Sequence, residues 1–169
     1  LVQSRLGNGR PFAEFSDSVV MSWPSHIGRS AVLGLVVWFD PSPTGGINQE
    51  GFEFSVNGLP DSTKWNYDVG GHGWGNNELQ YYTNQNYTLN GGYLEITAKN
   101  QPFNSQLYTS TRMKTQGIKS WKYGRIDIRA AIPYGQGIWP ALWMLGADFA
   151  TVGWPNCGEI DIMEHVGNN

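Results

Sequence analysis

The end of the chain carries three carboxylates, at offsets of two and then three residues, inside an otherwise apolar run. Successive side chains of an extended strand point to opposite faces, so Glu159 and Asp161 share one face while Glu164 has the opposite parity. An unpaired carboxylate directed into a core is costly. The sequence therefore predicts a one-residue β-bulge near Ile162 and Met163 that returns Glu164 to the acidic face.

This acidic row suits glycoside hydrolysis with retention, which needs a carboxylate nucleophile and a protonated carboxyl acid about 5 Å apart. Glu159 fits the nucleophile and Glu164 the acid, whose pKa should be raised by its neighbours. Asp161 adds a charge and a hydrogen-bond partner that can share a proton with the nucleophile. The alternative is a solvated strand face that happens to be acidic, but such a face usually mixes charges of both signs.

The composition is that of a turn-rich globular chain of one domain, at most two. Its 169 residues include 22 Gly and 9 Pro, 14% are aromatic and only 15% are charged. The net charge is −3 and no basic run occurs, which disfavours a nucleic-acid partner. Eight Trp and eight Tyr suit the flat apolar faces of sugar rings, so we expect a neutral polysaccharide as the partner.

Short segments with period-two alternation, separated by turns, indicate an all-β fold. Residues 93–98 and 124–130 both alternate in this way, and in the second segment Ile126 and Ile128 are expected to face a core. No long run of helical period competes with them. Many short strands, each with one solvent-exposed face, are typical of an antiparallel sandwich or barrel.

The acidic run at residues 158–164 resembles the catalytic signature of glycoside hydrolase family 16, in its bulged form. Five upstream blocks resemble the laminarinase-type branch of that family in the same order: residues 65–68, 73–83, 108–112, 123–126 and 137–145. The resemblance runs from about Glu53 to the last residue. Several motifs in the correct order are far more specific than one short pattern.

This resemblance implies a β-jelly roll, a concanavalin A-like sandwich of two curved antiparallel sheets. It also implies an endo-acting retaining hydrolase of β-1,3-glucan or mixed-linkage β-1,3-1,4-glucan. Glu159, Asp161 and Glu164 would carry the reaction, with no cofactor required for catalysis. Two alternatives stay open: a non-catalytic, lectin-like glucan-binding jelly roll, and an agarase or carrageenase of the same family.

Four residues are candidates for substrate binding. Trp139 and Trp143 share a face if the segment is a strand, and both could form the floor of a cleft. Pro140 suggests an edge or a bulge at this point. The alternative for both tryptophans is packing in the core. By resemblance Arg112 reaches sugar hydroxyls or an acid; a surface ion pair is its alternative. Asn77 either binds a sugar hydroxyl or satisfies its own turn. Two weaker candidates for outer subsites are Trp121 and Trp154.

No catalytic metal is expected, because His26, His72 and His165 are far apart and lack ligand spacing. The resemblance allows a structural calcium ion with Glu53 as one oxygen ligand. For the whole protein we expect a secreted monomer that acts on a polysaccharide and contacts neither nucleic acid nor a membrane.

The domain organisation follows from where the resemblance begins. Residues 1–50 are expected to be an extension, a leader or an irregular segment, and residues 51–169 the N-terminal part of the family's catalytic domain. The apolar run at 31–39 is shorter than the roughly 20 residues that span a bilayer. Family members continue past the acidic motif, so we expect an incomplete jelly roll with an exposed catalytic strand and low stability and activity in isolation.

Overall fold

The computed structural model describes residues 15–16, 29–34, 58–90, 92–121, 126, 128–133 and 135–167. This part of the chain forms eleven strands and one single-turn helix, α1, at Phe149–Val152. The strands are β1 Phe15–Ser16, β2 Arg29–Gly34, β3 Asn66–Asp68, β4 Gln80–Tyr82, β5 Tyr87–Asn90, β6 Tyr93–Phe103, β7 Gln106–Ser110, β8 Arg112–Lys114, β9 Arg129–Ala131, β10 Ala141–Gly146 and β11 Glu159–Glu164. The all-β prediction is confirmed.

The described strands form three sheets. The largest has the order β4-β7-β6-β2-β9, with β5 also paired to β6. A three-stranded sheet has the order β1-β10-β11, and β3 pairs with β8. Neighbouring strands are antiparallel as predicted, with the exception of β4 and β7, which run parallel. Within the described residues, β11 is an edge strand.

Strand β6 organises the largest sheet. Its first half pairs with β2 on one side and β5 on the other, and its second half pairs with β7. The predicted alternation at 93–98 is confirmed, because Leu94, Ile96 and Ala98 are buried. Leu94 and Ile96 lie in a hydrophobic core with Met113 and Leu142, so this core joins the largest sheet to the strands that carry the site.

The second predicted strand is described only in part. Arg129 and Ala130 belong to β9, and Ile126 and Ile128 pack against the core as predicted, while residues 124, 125 and 127 lie outside the described residues. Arg129 pairs with Gly34, the last residue of β2.

Two segments of the first fifty residues take part in the sheets. Strand β2 includes the start of the apolar run at 31–39 and lies between β6 and β9, while β1 pairs with the end of β10. The other residues of 1–50, and Glu53, lie outside the described residues. Among the described residues, no helix has the length and hydrophobicity that crossing a membrane requires.

The end of β10 depends on a glycine. A methyl group on Gly146 would lie 2.2 Å from the backbone carbonyl oxygen of Cys157, in the turn that leads into β11. We expect Gly146→Ala to lower the free energy of unfolding by about 3 kcal/mol, because the backbone must move to remove this clash. Urea denaturation of the purified protein measures the change.

The matched control is Gly117→Ala. Gly117 has a φ of +77°, but nothing lies within 4 Å of the added methyl group. The left-handed backbone alone should cost about 1 kcal/mol. Equal losses in the two variants would contradict a tight contact between β10 and the turn before β11.

Candidate active site

Strand β11 contains the predicted bulge. Leu142 on β10 lies opposite Met163, and the next residue, Trp143, lies opposite Asp161. Ile162 thus has no partner in β10 and is the extra residue. The structure confirms the predicted bulge and places it at Ile162 rather than at Met163.

The bulge aligns the acidic row. Met163 packs against the hydrophobic core, whereas the side chain of Ile162 is 38% exposed. Glu159, Asp161 and Glu164 all line one cavity of about 720 Å³. The three carboxylates therefore share a face despite their unequal spacing in the sequence.

The floor and walls of this cavity are rich in aromatic side chains. Alternate residues of β10, Ala141, Trp143 and Leu145, line it, and Trp139 precedes them on the same side. Trp139 and Trp143 line the same cavity, as expected from a shared face, although Trp139 lies outside β10, which begins directly after Pro140. Their contact with a sugar stays a prediction. The other lining residues are Asp68, His72, Trp74, Gly75, Asn76, Glu78, Arg112, Lys114, Gln116, Phe149 and Trp154.

Two tryptophans donate hydrogen bonds to the ends of the acidic row. Nε1 of Trp154 donates to Oε2 of Glu159 at 2.6 Å, and Nε1 of Trp139 donates to Oε1 of Glu164 at 2.8 Å. Of the two weaker candidates, Trp154 therefore lies at the acids. Trp121 instead packs against the hydrophobic core.

The environment and the neighbouring acids change the pKa values of Glu159 and Asp161. Burial raises the pKa of Glu159 above its ordinary value, the hydrogen bond from Trp154 lowers it, and the charges of Asp161 and Glu164 raise it again. Burial and then the charge of Glu164 raise the pKa of Asp161. A hydrogen bond joins the Glu159 and Asp161 carboxyls. The pair can therefore share one proton, as expected for closely spaced carboxyls.

Arg112 is buried beside the row. Its Nε lies 3.2 Å from Oδ2 of Asp68, and its Nη1 lies 3.8 Å from Oε1 of Glu78. Its guanidinium carbon is 5.0 Å from the ring centroids of both Trp74 and Trp143. The alternative of a surface ion pair is wrong, because only 8% of Arg112 is exposed. Burial against two rings makes Arg112 part of the cavity wall.

The charges around Arg112 balance. Lys114 forms an ion pair with Asp68 and donates a hydrogen bond to Gln116 at 3.0 Å. Two cations, Arg112 and Lys114, thus face two carboxylates, Asp68 and Glu78, in the same cavity. This part of the cavity is formally neutral.

The loop before β4 presents different residues from the one that we predicted. Asn77 is exposed with a φ of 56°, and its neighbours Asn76 and Glu78, rather than Asn77 itself, line the cavity. Glu78 is buried and accepts hydrogen bonds from Gln80 at 2.6 Å and from Tyr82. Asn77 thus takes the left-handed backbone conformation that asparagine tolerates in turns.

The sequence did not reveal the balanced set around Arg112, which consists of two cations and two carboxylates: Arg112, Lys114, Asp68 and Glu78. Asp68, Glu78 and Lys114 lie in or beside motifs that carry the family resemblance, but nothing in their spacing shows that they meet. Strand pairing supplies the contact, since Asp68 lies directly opposite Arg112 in the β3–β8 ladder.

The described residues contain no group of three or more His, Cys, Asp or Glu side chains placed to hold a metal ion. Glu53, the proposed calcium ligand, is not among those residues. Calcium binding therefore stays a prediction.

The fold and this cavity define a class of protein. A β-sandwich with a row of carboxylates beside tryptophans in one cavity is typical of proteins that act on glycans. Comparison with known proteins gives the family.

The chain belongs to glycoside hydrolase family 16. Its residues 69–169 match the model of the XgeA-like, catalytic GH16 domain. A beta-glucanase of Rhodothermus marinus is 57% identical over 123 residues, covering 69% of this chain and 43% of that protein. The glucan endo-1,3-beta-glucosidase A1 of Niallia circulans is 44% identical over 124 residues, covering 63% and 18%.

A solved structure confirms the jelly roll. The laminarinase catalytic domain of Thermotoga maritima MSB8 has a TM-score of 0.64 and 44% identity, covering 79% of this chain and 52% of that one. The chain thus spans about half of this structure and less than half of the two curated relatives.

Proposed function

We propose that the protein is an endo-acting retaining glycoside hydrolase of β-1,3-glucan or mixed-linkage β-1,3-1,4-glucan. The observation that carries this proposal is the bulge at Ile162, which brings Glu159, Asp161 and Glu164 to one face of an aromatic-lined cavity. The names of the relatives, beta-glucanase and glucan endo-1,3-beta-glucosidase, support the substrate class.

The reaction proceeds in two displacements. Glu159 attacks the anomeric carbon, the glycosidic bond breaks, and its electron pair goes to the leaving oxygen, which receives the proton of Glu164. Water then gives its proton to Glu164 and bonds to the anomeric carbon, and the electron pair of the ester bond returns to Glu159. Asp161 holds a proton with Glu159 before the attack. Carboxyls and water suffice, so we propose no cofactor for catalysis.

The cavity suits an uncharged polymer. The balanced set around Arg112 leaves no excess positive charge there, and the acidic row repels anionic groups. Trp139, Trp143 and Trp154 offer apolar ring surfaces to the sugars. We also propose that the protein is secreted and meets this polymer outside the cell.

Release of reducing ends from laminarin, lichenan and agarose tests the proposal. We expect laminarin and lichenan to be cleaved to oligosaccharides of mixed length, and agarose and carboxymethylated laminarin to be cleaved at least about tenfold more slowly, since excluding a mismatched substrate is commonly worth 1–3 kcal/mol. Nuclear magnetic resonance of the first product should show the β-anomer. Faster cleavage of agarose, or an α-anomer, would contradict the proposal.

A further inference from the structure

We propose that Trp154 and Trp139 are positioning residues that determine which oxygen of each reacting carboxyl takes part in the reaction. This inference rests on the proposed hydrolase function. It assigns Oε1 of Glu159 as the attacking oxygen and Oε2 of Glu164 as the oxygen that carries the proton.

The assignment follows from the hydrogen bonds of the two indoles. An indole N–H can only donate, so it needs an oxygen lone pair as its partner. Trp154 occupies Oε2 of Glu159, and Trp139 occupies Oε1 of Glu164. A protonated oxygen is a weaker acceptor than a carboxylate oxygen. The proton of Glu164 therefore lies on Oε2, and Oε1 is the oxygen of Glu159 that does not accept from Trp154.

Packing alone does not explain the position of Trp154. The residue is 65% exposed, so burial contributes little to holding it, yet its indole lies 2.6 Å from a carboxylate oxygen. A hydrogen bond to an ionised acceptor is among the stronger polar contacts in proteins. The bond itself is therefore a main restraint on both side chains.

The two indole donors lie at opposite ends of the acidic row. Trp154 precedes β11 in the chain and reaches its first residue, Glu159, whereas Trp139 precedes β10 and reaches the last residue of β11, Glu164. Each reacting carboxyl thus receives its own donor from outside the strand that carries it. Asp161 lies between them, hydrogen-bonded to Glu159.

The reaction can be written with these atoms. Oε1 of Glu159 bonds to the anomeric carbon, and the leaving oxygen receives both the electron pair of the broken bond and the proton from Oε2 of Glu164. In the second step, water bonds to the carbon and returns a proton to Oε2 of Glu164, while the ester electron pair returns to Oε1 of Glu159.

Other titratable and charged groups also face this cavity. They are Asp161 on β11, Asp68 on β3, His72 and Glu78 in the segment before β4, and Arg112 and Lys114 on β8. The matched variants below leave all of them in place, so a difference between variants reports on the indole donors.

Replacing Trp154 by benzothienylalanine tests its role, because this analogue keeps the ring shape but has sulfur in place of the N–H. Loss of the donor should raise the pKa of Glu159, since the hydrogen bond stabilises the carboxylate. The acidic limb of kcat/KM should move to higher pH, with a loss of about three- to tenfold on that limb and little change near the optimum.

The same pKa can be followed without any activity. Isotope-labelled glutamate carboxyls, titrated by nuclear magnetic resonance in the complete protein, should show Glu159 titrating at higher pH in the Trp154 variant. The matched control is benzothienylalanine at Trp143, whose ring contacts Arg112 rather than a carboxylate; it should leave this titration unchanged. An unchanged titration in the Trp154 variant would overturn the inference for Glu159.

Replacing Trp139 by the same analogue tests the acid. Without its donor, the proton of Glu164 is no longer restricted to Oε2, so proton transfer to the leaving oxygen should weaken. We expect kcat on laminarin to fall about tenfold, which is part of the roughly 10²–10⁴-fold that a general acid contributes. Hydrolysis of a dinitrophenyl laminaribioside, whose leaving group needs no proton, should fall much less. An equal fall on both substrates would refute the role of Trp139.

These outcomes separate the inference from the function on which it rests. If the parent protein cleaves none of the glucans, the proposed function fails, while the carboxyl titrations still decide whether Trp154 acts on Glu159. If the parent is active and the Trp variants keep its pH profile and substrate ratio, only the positioning role fails.

Discussion

Glu159→Gln is expected to lower kcat for laminarin by on the order of 10⁴-fold or more, as is usual when a member of a reacting set is removed. Glutamine keeps the size of the side chain and can still accept the hydrogen bond from Trp154, but its neutral amide cannot form the glycosyl ester. Reducing-end assays on laminarin, together with circular dichroism of the folded variant, measure the loss.

Glu164→Gln distinguishes the two carboxyls. This variant should be nearly as slow on laminarin, yet it should still release dinitrophenol from the activated laminaribioside in a burst, because forming the ester with a good leaving group needs no acid. The Glu159 variant should give no burst. If Glu159→Gln cleaves laminarin as fast as the parent, the nucleophile assignment fails.

Arg112→Met is expected to lower the free energy of unfolding by about 3–5 kcal/mol, as found when one partner of a buried ion pair is removed. The variant leaves Glu78 buried without its cation and removes the guanidinium from between the rings of Trp74 and Trp143. Chemical denaturation of the complete protein measures the change.

Two further variants test the reason for this loss. Lys114→Met removes a more exposed cation that pairs with Asp68, so its cost should be clearly smaller. Adding Glu78→Gln to Arg112→Met should recover part of the stability, because it removes the uncompensated charge. Equal losses in Arg112→Met and Lys114→Met would show that burial of the Arg112 ion pairs does not determine stability here.

Side-chain parity made much of the site predictable. The unequal spacing of Glu159, Asp161 and Glu164 required a bulge, and the structure has one at Ile162. The spacing of Trp139 and Trp143 likewise predicted a shared face, and both line the cavity. The prediction for the acids holds because alternation along a strand is a local property of the backbone. Trp139 lies just before β10, so its position in the cavity does not follow from strand alternation.

Local patterns were less informative in the loop before β4. The composition of the loop before β4 suggested Asn77 as a ligand, yet its left-handed backbone leaves Asn76 and Glu78 as the residues that line the cavity.

The sequence by itself determined the all-β class, the family and the alignment of the three acids, because strand parity and ordered motifs can be read along a single segment. Only the tertiary structure decided that Asp68, Glu78 and Arg112 meet, and that Trp154 and Trp139 each donate to one reacting acid. These contacts join residues far apart in the chain or held by irregular turns. Strand register and loop conformation fix such contacts, and both depend on packing across the whole fold.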